Sequence, residues 1–374
     1  MTPDIGEPGT TEHPAPDTPA SVDGTYTARF GPVALALRRI ADAEPHAGFA
    51  VAAYLDGRPV VDLWAGHAHR ESLFHTWSTV KPVIGTCLLL LLHRTGVSPD
   101  CSVRAVWPEL RAAHDPELRI RHLLAHAAGL VSVPGSGVVA DLIDWDATVD
   151  RLSAATPDWR PGRAVGEHAL TYGHVTGELI RRLDGRSPGR FLAEELSGPL
   201  GLDLRIGAGP AETHRIADTQ NLDTAYWERY RGHDVPLRRS ALGSGMDGDL
   251  VNSAAWRSAQ IPAVNGHASA RGLAAFYARM LEGALPAAAT RPGARGTDRI
   301  LGRPVVWSLA GGQLRDGQIA MGGAGGQWAA AHPESGLAWA FLTSGMGNLQ
   351  RAAVLERTLF DCVGATAGRA TLTP

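Results

Sequence analysis

The sequence predicts an α/β protein in which one antiparallel sheet, flanked by helices, is assembled from both ends of the chain around an inserted helical domain. Three observations carry this reading. Near the start, Gly48–Leu55 and residues 58–64 read as two strands joined at Asp56-Gly57, a dipeptide suited to a two-residue hairpin turn. Near the end, four short apolar stretches at 305–310, 318–322, 327–332 and 337–343 are separated by Gly-rich or Pro-containing turns. Between about 100 and 240 the chain has helical spacing broken by Pro and Gly, with no strand pattern.

Taken in order, residues 1–27 are expected to form a disordered tail, because at least the first 21 are rich in Pro, Thr, Asp and Glu. A helix at 33–43 precedes the hairpin. A strongly apolar helix at 79–93 follows it, containing five consecutive leucines and stopped by Gly96 and Pro99. Helices are expected at 120–125, 171–183 and 188–196, and an amphipathic one at 271–281, followed by a loop to about 298. A last helix at 349–362 closes the fold. The expected division is an α/β part at 28–100 and 260–363, a helical insertion at 101–259, and a flexible tail at 364–374.

Composition excludes several classes. With 374 residues, 44% hydrophobic, 20% charged and net charge −3, the chain suits a globular protein and offers no basic footprint for nucleic acid. Cys87, Cys101 and Cys362 show neither a disulfide framework nor metal-ligand spacing. The N-terminus lacks a basic start and an apolar stretch, so a cytoplasmic location is expected. The apolar helix is about half the length of a membrane span. No cofactor is implied, and the expected partner is a small-molecule acyl substrate. His122 and His126 have a spacing that could hold a metal, but no third ligand is evident, so no metal is expected.

Among the 35 basic residues only Lys81 is a lysine. Arginine serves wherever charge alone is needed; lysine can lose its proton when buried and act as a base. Lys81 stands one helical turn after Ser78, so the two side chains should share a face. A helix N-terminus and apolar neighbours both disfavour the ammonium form, and a neutral amine can take the serine proton. The alternative is that Ser78 caps a helix and Lys81 is solvated in its first turn.

The stretches Trp77-Ser78-Thr79-Val80-Lys81, residues 120–130 (IRHLLAHAAGL), 159–162 (WRPG), 198–202 (GPLGL), 261–266 (IPAVNG) and 322–326 (GGAGG) together resemble the serine β-lactamase-related superfamily. Within it the likeness is to family VIII carboxylesterases and class C-like hydrolases and transacylases, over roughly residues 28–360. The resemblance implies a β-lactamase/penicillin-binding-protein-like fold and an acyl-enzyme mechanism with Ser78 as nucleophile and Lys81 as its general-base partner. It also implies an oxyanion hole from the N–H groups of Ser78 and, on the strand after the Gly-rich turn, Ala324. Such enzymes act on an ester or thioester and pass the acyl group to water or to another acceptor.

Two positions depart from the family pattern. The family supplies a tyrosine in the helical domain as proton shuttle, and here the segment reads Gly166-Glu167-His168-Ala169-Leu170-Thr171-Tyr172. One alignment puts Glu167 at that position and another puts Tyr172 there. A carboxylate beside Lys81 would favour the ammonium and could exchange the roles of base and partner. If neither fills the role, the chain would be an impaired enzyme or a binding protein. On the strand before the Gly-rich turn, where the family places lysine or histidine, stands Met321. With Gly322 and Gly323 it is expected to line the substrate site. A thioether cannot engage a substrate carboxylate, so strong β-lactamase activity is not expected and neutral, apolar acyl groups are. The Gly-rich run lacks the lysine and helix of a phosphate loop. Trp145, Trp159, Trp227 and Trp328 are candidates to line an apolar acyl pocket, and 211–239 suits a lid or substrate-binding loop.

Overall fold

A computed structural model describes residues 20–364 except 136, 233, 234 and 236. Its centre is a nine-stranded antiparallel sheet in the spatial order β1-β3-β2-β12-β11-β10-β9-β8-β7. These strands are β1 (Val22–Tyr26), β2 (Gly48–Leu55), β3 (Arg58–Gly66), β7 (Pro292–Thr297), β8 (Pro304–Ser308), β9 (Gln313–Arg315), β10 (Gln318–Gly322), β11 (Trp328–His332) and β12 (Leu337–Thr343). A second, three-stranded sheet joins β4 (Phe74–His75), β5 (Leu204–Ile206) and β6 (Gly266–Ala268) in the order β4-β6-β5.

Both chain ends meet where β12 pairs with β2, with Val51 opposite Phe341. The hairpin between β2 and β3 closes through Asp56 at φ +49° and Gly57 at φ +75°, the paired left-handed residues of a type I′ turn. Alternation along β2 decides the layers. Phe49, Val51 and Ala53 face one core with Leu37, Ile40, Leu355 and Phe360 of the helices Gly31–Ala43 and Gln350–Val363. Ala50 and Ala52 face the other, larger core with Val83, Leu88, Leu273 and Phe276. That second core is continuous with the helical region, so the helix Lys81–Thr95 lies between the sheet and the insertion.

Three expectations are corrected. The N-terminal tail does not extend to residue 27, because Val22–Tyr26 pairs with β3 as an edge strand; the residues before 20 and after 364 lie outside those described. The loop expected up to 298 contains β7, paired with β8. The insertion is not wholly helical, since β5 pairs with β6. Among the described residues no helix is long and apolar enough to cross a membrane.

Candidate active site

Ser78 stands in a short 3-10 turn, Trp77–Val80, that runs directly into the α-helix Lys81–Thr95. The turn is tighter than the single helix expected from the sequence, but it keeps residues 78 and 81 on one face. Lys81 Nζ lies 2.6 Å from Ser78 Oγ. Trp77, immediately before the serine, has φ +49°, a costly conformation for a bulky residue that persists only where packing enforces it. The packing is present. Its ring meets the His75 ring edge-on at 4.6 Å and stacks on Trp227 at 6.2 Å. A Cβ on Gly323 would sit 2.9 Å from Trp77 Cβ, so only glycine allows this approach.

The Lys81 side chain is fully buried, and its Nζ lies 3.1 Å from Glu167 Oε1. Burial pulls the amine below the ordinary lysine range, and the Glu167 carboxylate opposes that shift only in part. Glu167 is held by its backbone. Its N–H donates to Asp298 Oδ1 at 3.1 Å, while the flanking N–H groups of Gly166 and His168 donate to the carbonyl and Nδ1 of His126, each at 3.0 Å. Because His126 Nδ1 accepts, its Nε2 carries the hydrogen and faces the Gly311 carbonyl at 3.3 Å. His126 is buried, and desolvation holds it well below the ordinary histidine range. Asp298 is also buried and accepts from the N–H groups of Ile300 and Leu301 at 2.8 Å and from Trp307 Nε1 at 3.0 Å. Sequence reasoning missed Asp298 altogether and left His126 in a family-like stretch where no metal was expected, without a contact to the loop that carries Glu167.

Tyr172, the other candidate, opens the helix Tyr172–Asp184. Its hydroxyl donates to the Ala310 carbonyl at 3.0 Å, its ring lies 4.6 Å from that of His126, and burial pushes its pKa up. The structure therefore brings Ser78, Lys81 and Glu167 together and commits the Tyr172 hydroxyl to a backbone carbonyl.

The Gly-rich turn between β10 and β11 approaches the Trp77–Val80 turn through Gly323. Ala324 lies within this turn, not on the strand that follows it, and is buried. The N–H groups of Gly323 and Gly326 bond within the turn at 2.8 and 3.0 Å, and that of Gly325 donates to Gln327 Oε1 at 3.0 Å. The Ala324 N–H is left uncommitted among the described residues. Ser78 N–H, in the first turn of its helix, has no intrahelical acceptor. A reactive hydroxyl touching a buried amine, a carboxylate behind that amine and two spare backbone donors form the parts list of acyl transfer.

Comparison with known proteins gives the family. A family model described as Beta-lactamase matches residues 37–361. The chain belongs to the β-lactamase family. It is 31% identical to the esterase/beta-lactamase LipL of Mycobacterium tuberculosis over 292 residues, which span 72% of this chain and 67% of that one. Among solved structures it resembles a family VIII carboxylesterase with TM-score 0.81 and 27% identity, covering 91% of this chain and all of that one. It also resembles a penicillin-binding-protein homologue from Caulobacter crescentus with TM-score 0.78 and 28% identity, covering 91% of this chain and all of that one. The fold is that of β-lactamases and penicillin-binding proteins.

In this β-lactamase-family chain Met321 is not an open wall of the site. It is buried with Ala125, Ala127, Val165, Val305 and Trp307, beneath the loop that carries Glu167, while Gly322 and Gly323 keep partial exposure. Of the four tryptophans singled out, only Trp227 packs on Trp77. Trp145 donates to Glu178, Trp159 lies beneath Arg299, and Trp328 belongs to the core on the opposite face of the sheet. The 211–239 segment contains the helix Thr224–Arg231, which carries Trp227. Among the described residues no group of three or more His, Cys, Asp or Glu could hold a metal ion.

Proposed function

We propose that this protein is a serine hydrolase that cleaves neutral, apolar carboxylic esters through an acyl-enzyme on Ser78. The observation that carries the reading is the buried chain of contacts from Ser78 Oγ to Lys81 Nζ at 2.6 Å and on to Glu167 Oε1 at 3.1 Å. The names of LipL and of the family VIII carboxylesterase support the ester class. Met321 is buried and uncharged, so the position where the resemblance places a cation offers none to a substrate carboxylate.

In this reading Ser78 Oγ attacks the ester carbonyl carbon while its proton passes to Lys81 Nζ. The new oxyanion is stabilised by the N–H groups of Ser78 and Ala324. The Glu167 carboxylate stabilises the ammonium as it forms. Lys81 then returns the proton to the departing alkoxide as the carbon–oxygen bond breaks. In the second half a water gives a proton to Lys81 and attacks the acyl carbon; the carboxylic acid departs, and Lys81 restores the Ser78 hydroxyl. Lys81 as the base is supported by its direct contact with Ser78 and by burial, which lowers the cost of its neutral form.

The test is covalent. A fluorophosphonate should add one mass equivalent to the wild type and none to Ser78→Ala, and the wild type should hydrolyse 4-nitrophenyl butyrate. A wild-type protein that neither labels nor turns over would refute the reading and leave a binding protein on an enzyme fold. Added alcohol gives the partition of the acyl group: ester product alongside free acid marks acyl transfer.

A further inference from the structure

Backbone amides serve as oxyanion donors only if their direction is fixed before the reaction, and a turn with four glycines in five residues does not fix itself. This turn is restrained from outside. The Ala324–Gly325 peptide is held at both edges: its carbonyl accepts from the Tyr226 hydroxyl at 3.1 Å and its N–H donates to Gln327 Oε1 at 3.0 Å. The next carbonyl, that of Gly325, accepts from Arg351 at 2.8 Å. Each anchor is itself tied elsewhere. Gln327 Nε2 donates to the Thr343 carbonyl at 3.0 Å, and Arg351 is buried, bonds the Gly345 carbonyl at 2.8 Å and pairs with Glu44 at 2.7 Å. The peptide groups around Ala324 N–H are thereby pinned while that N–H stays free.

Resting on the hydrolase reading above, we propose that Tyr226 is a positioning residue for catalysis: its hydroxyl, held on the Ala324 carbonyl, orients the Ala324 amide toward the developing oxyanion. Tyr226 differs from the other two anchors in its origin. Gln327 directly precedes β11 and Arg351 lies on the sheet's outer helix, whereas Tyr226 comes from the helix Thr224–Arg231 of the insertion. That helix is fixed against the nucleophile turn by a run of rings. Tyr226 stacks on Tyr230 at 6.3 Å, Tyr230 on Trp227 at 5.3 Å and Trp227 on Trp77 at 6.2 Å. One short helix therefore touches both halves of the acylation machinery, the strained residue before Ser78 through an indole and the oxyanion turn through a phenol.

The experiment uses full-length Tyr226→Phe, which keeps the ring and removes only the hydroxyl. Loss of a complete oxyanion donor costs about 100- to 1,000-fold in kcat, so a loosened donor should cost roughly 10- to 100-fold. For 4-nitrophenyl butyrate, kcat should fall by that factor while KM stays within about threefold. The affinity for phenylboronic acid, which forms a tetrahedral adduct on the serine, should weaken in parallel with kcat. The thermal midpoint should move by less than about 2 °C. Unchanged kcat in a wild type that labels and turns over would overturn the positioning role alone, and so would a rise in KM at constant kcat or a loss of rate that tracks unfolding. Failure of the wild type to label would instead remove the hydrolase reading on which the role rests.

Discussion

Glu167→Gln is the substitution that separates base from counter-charge. It removes one negative charge 3.1 Å from Lys81 Nζ and keeps an oxygen that can accept from it. At an effective dielectric of about 20, opposite unit charges at that separation attract by roughly 5 kcal/mol. One pKa unit corresponds to about 1.4 kcal/mol, so the ceiling on the change is about four units. The Glu167 side chain keeps 11% exposure, and water screens part of the field; an opposite charge this close is worth about one to three units in practice. The sign follows from the charge. The carboxylate favours the ammonium, so its loss lowers the Lys81 pKa further and frees the base at lower pH. The rising limb of kcat/KM should therefore shift toward acid by about one to three units. The plateau should drop by roughly 10- to 100-fold, because the base is weaker and its ammonium is no longer stabilised. The assay is hydrolysis of 4-nitrophenyl butyrate from pH 5 to 10.5, read at the isosbestic wavelength. A limb that stays in place or moves toward alkali would refute Lys81 as the titrating base, and complete loss of activity at every pH would make Glu167 the base.

Three further outcomes are expected. Lys81→Arg keeps the charge but removes the neutral form, and its kcat for the same ester should fall by at least about 1,000-fold; retention of a tenth of the rate would exclude the amine as base. Tyr172→Phe deletes the hydroxyl bonded to Ala310 and should cost about 1 kcal/mol in urea unfolding with kcat within about threefold of wild type, whereas collapse of kcat would return the shuttle to Tyr172. The buried His168 and His174, each lowered to about 4, and His267, lowered to about 3, make stability acid-sensitive. Their folded values lie below an unfolded value of about 6.5, so the unfolded chain takes up more protons; stability is complete above about pH 6.5 and is lost as pH falls toward 4. The urea midpoint should drop steadily across that window by an amount equivalent to several kcal/mol, and a flat profile would show that these side chains are hydrated.

The features legible in the sequence were those fixed by local rules. Asp56-Gly57 announced its turn because few other residues accept two left-handed conformations in succession, and the leucine run with Gly96 after it announced a buried helix and its stop. Lys81 stood out because arginine had replaced lysine everywhere else. The missed strands are short or lie at sheet edges. Val22–Tyr26 contains an internal glycine, Pro292–Thr297 contains two, and β4 is only two residues long. Such segments become strands because a neighbour supplies hydrogen bonds, and no periodicity within them records that. The same holds in the site. Glu167 could be found from the residues around it, but the Asp298 that holds its N–H lies 131 positions away and carried no motif. Tyr226 lay in the 211–239 segment read as a lid or substrate-binding loop, yet its contact with Ala324 exists only because the insertion folds back over the sheet.

The pairing of β2 with β12 also governs when activity can arise during synthesis. Ser78 and Lys81 are synthesised before the turn that carries Ala324 and the strand that must lie beside β2. Non-local pairing of this kind is slow to form, and until it does the central sheet is incomplete and the edge of β2 is open to other chains. A nascent chain therefore holds Ser78 and Lys81 before the turn that carries Ala324 can pack against Trp77. Removing the residues after 336 should yield a protein prone to aggregate, because β12 and the helix Gln350–Val363 with Arg351 are lost together.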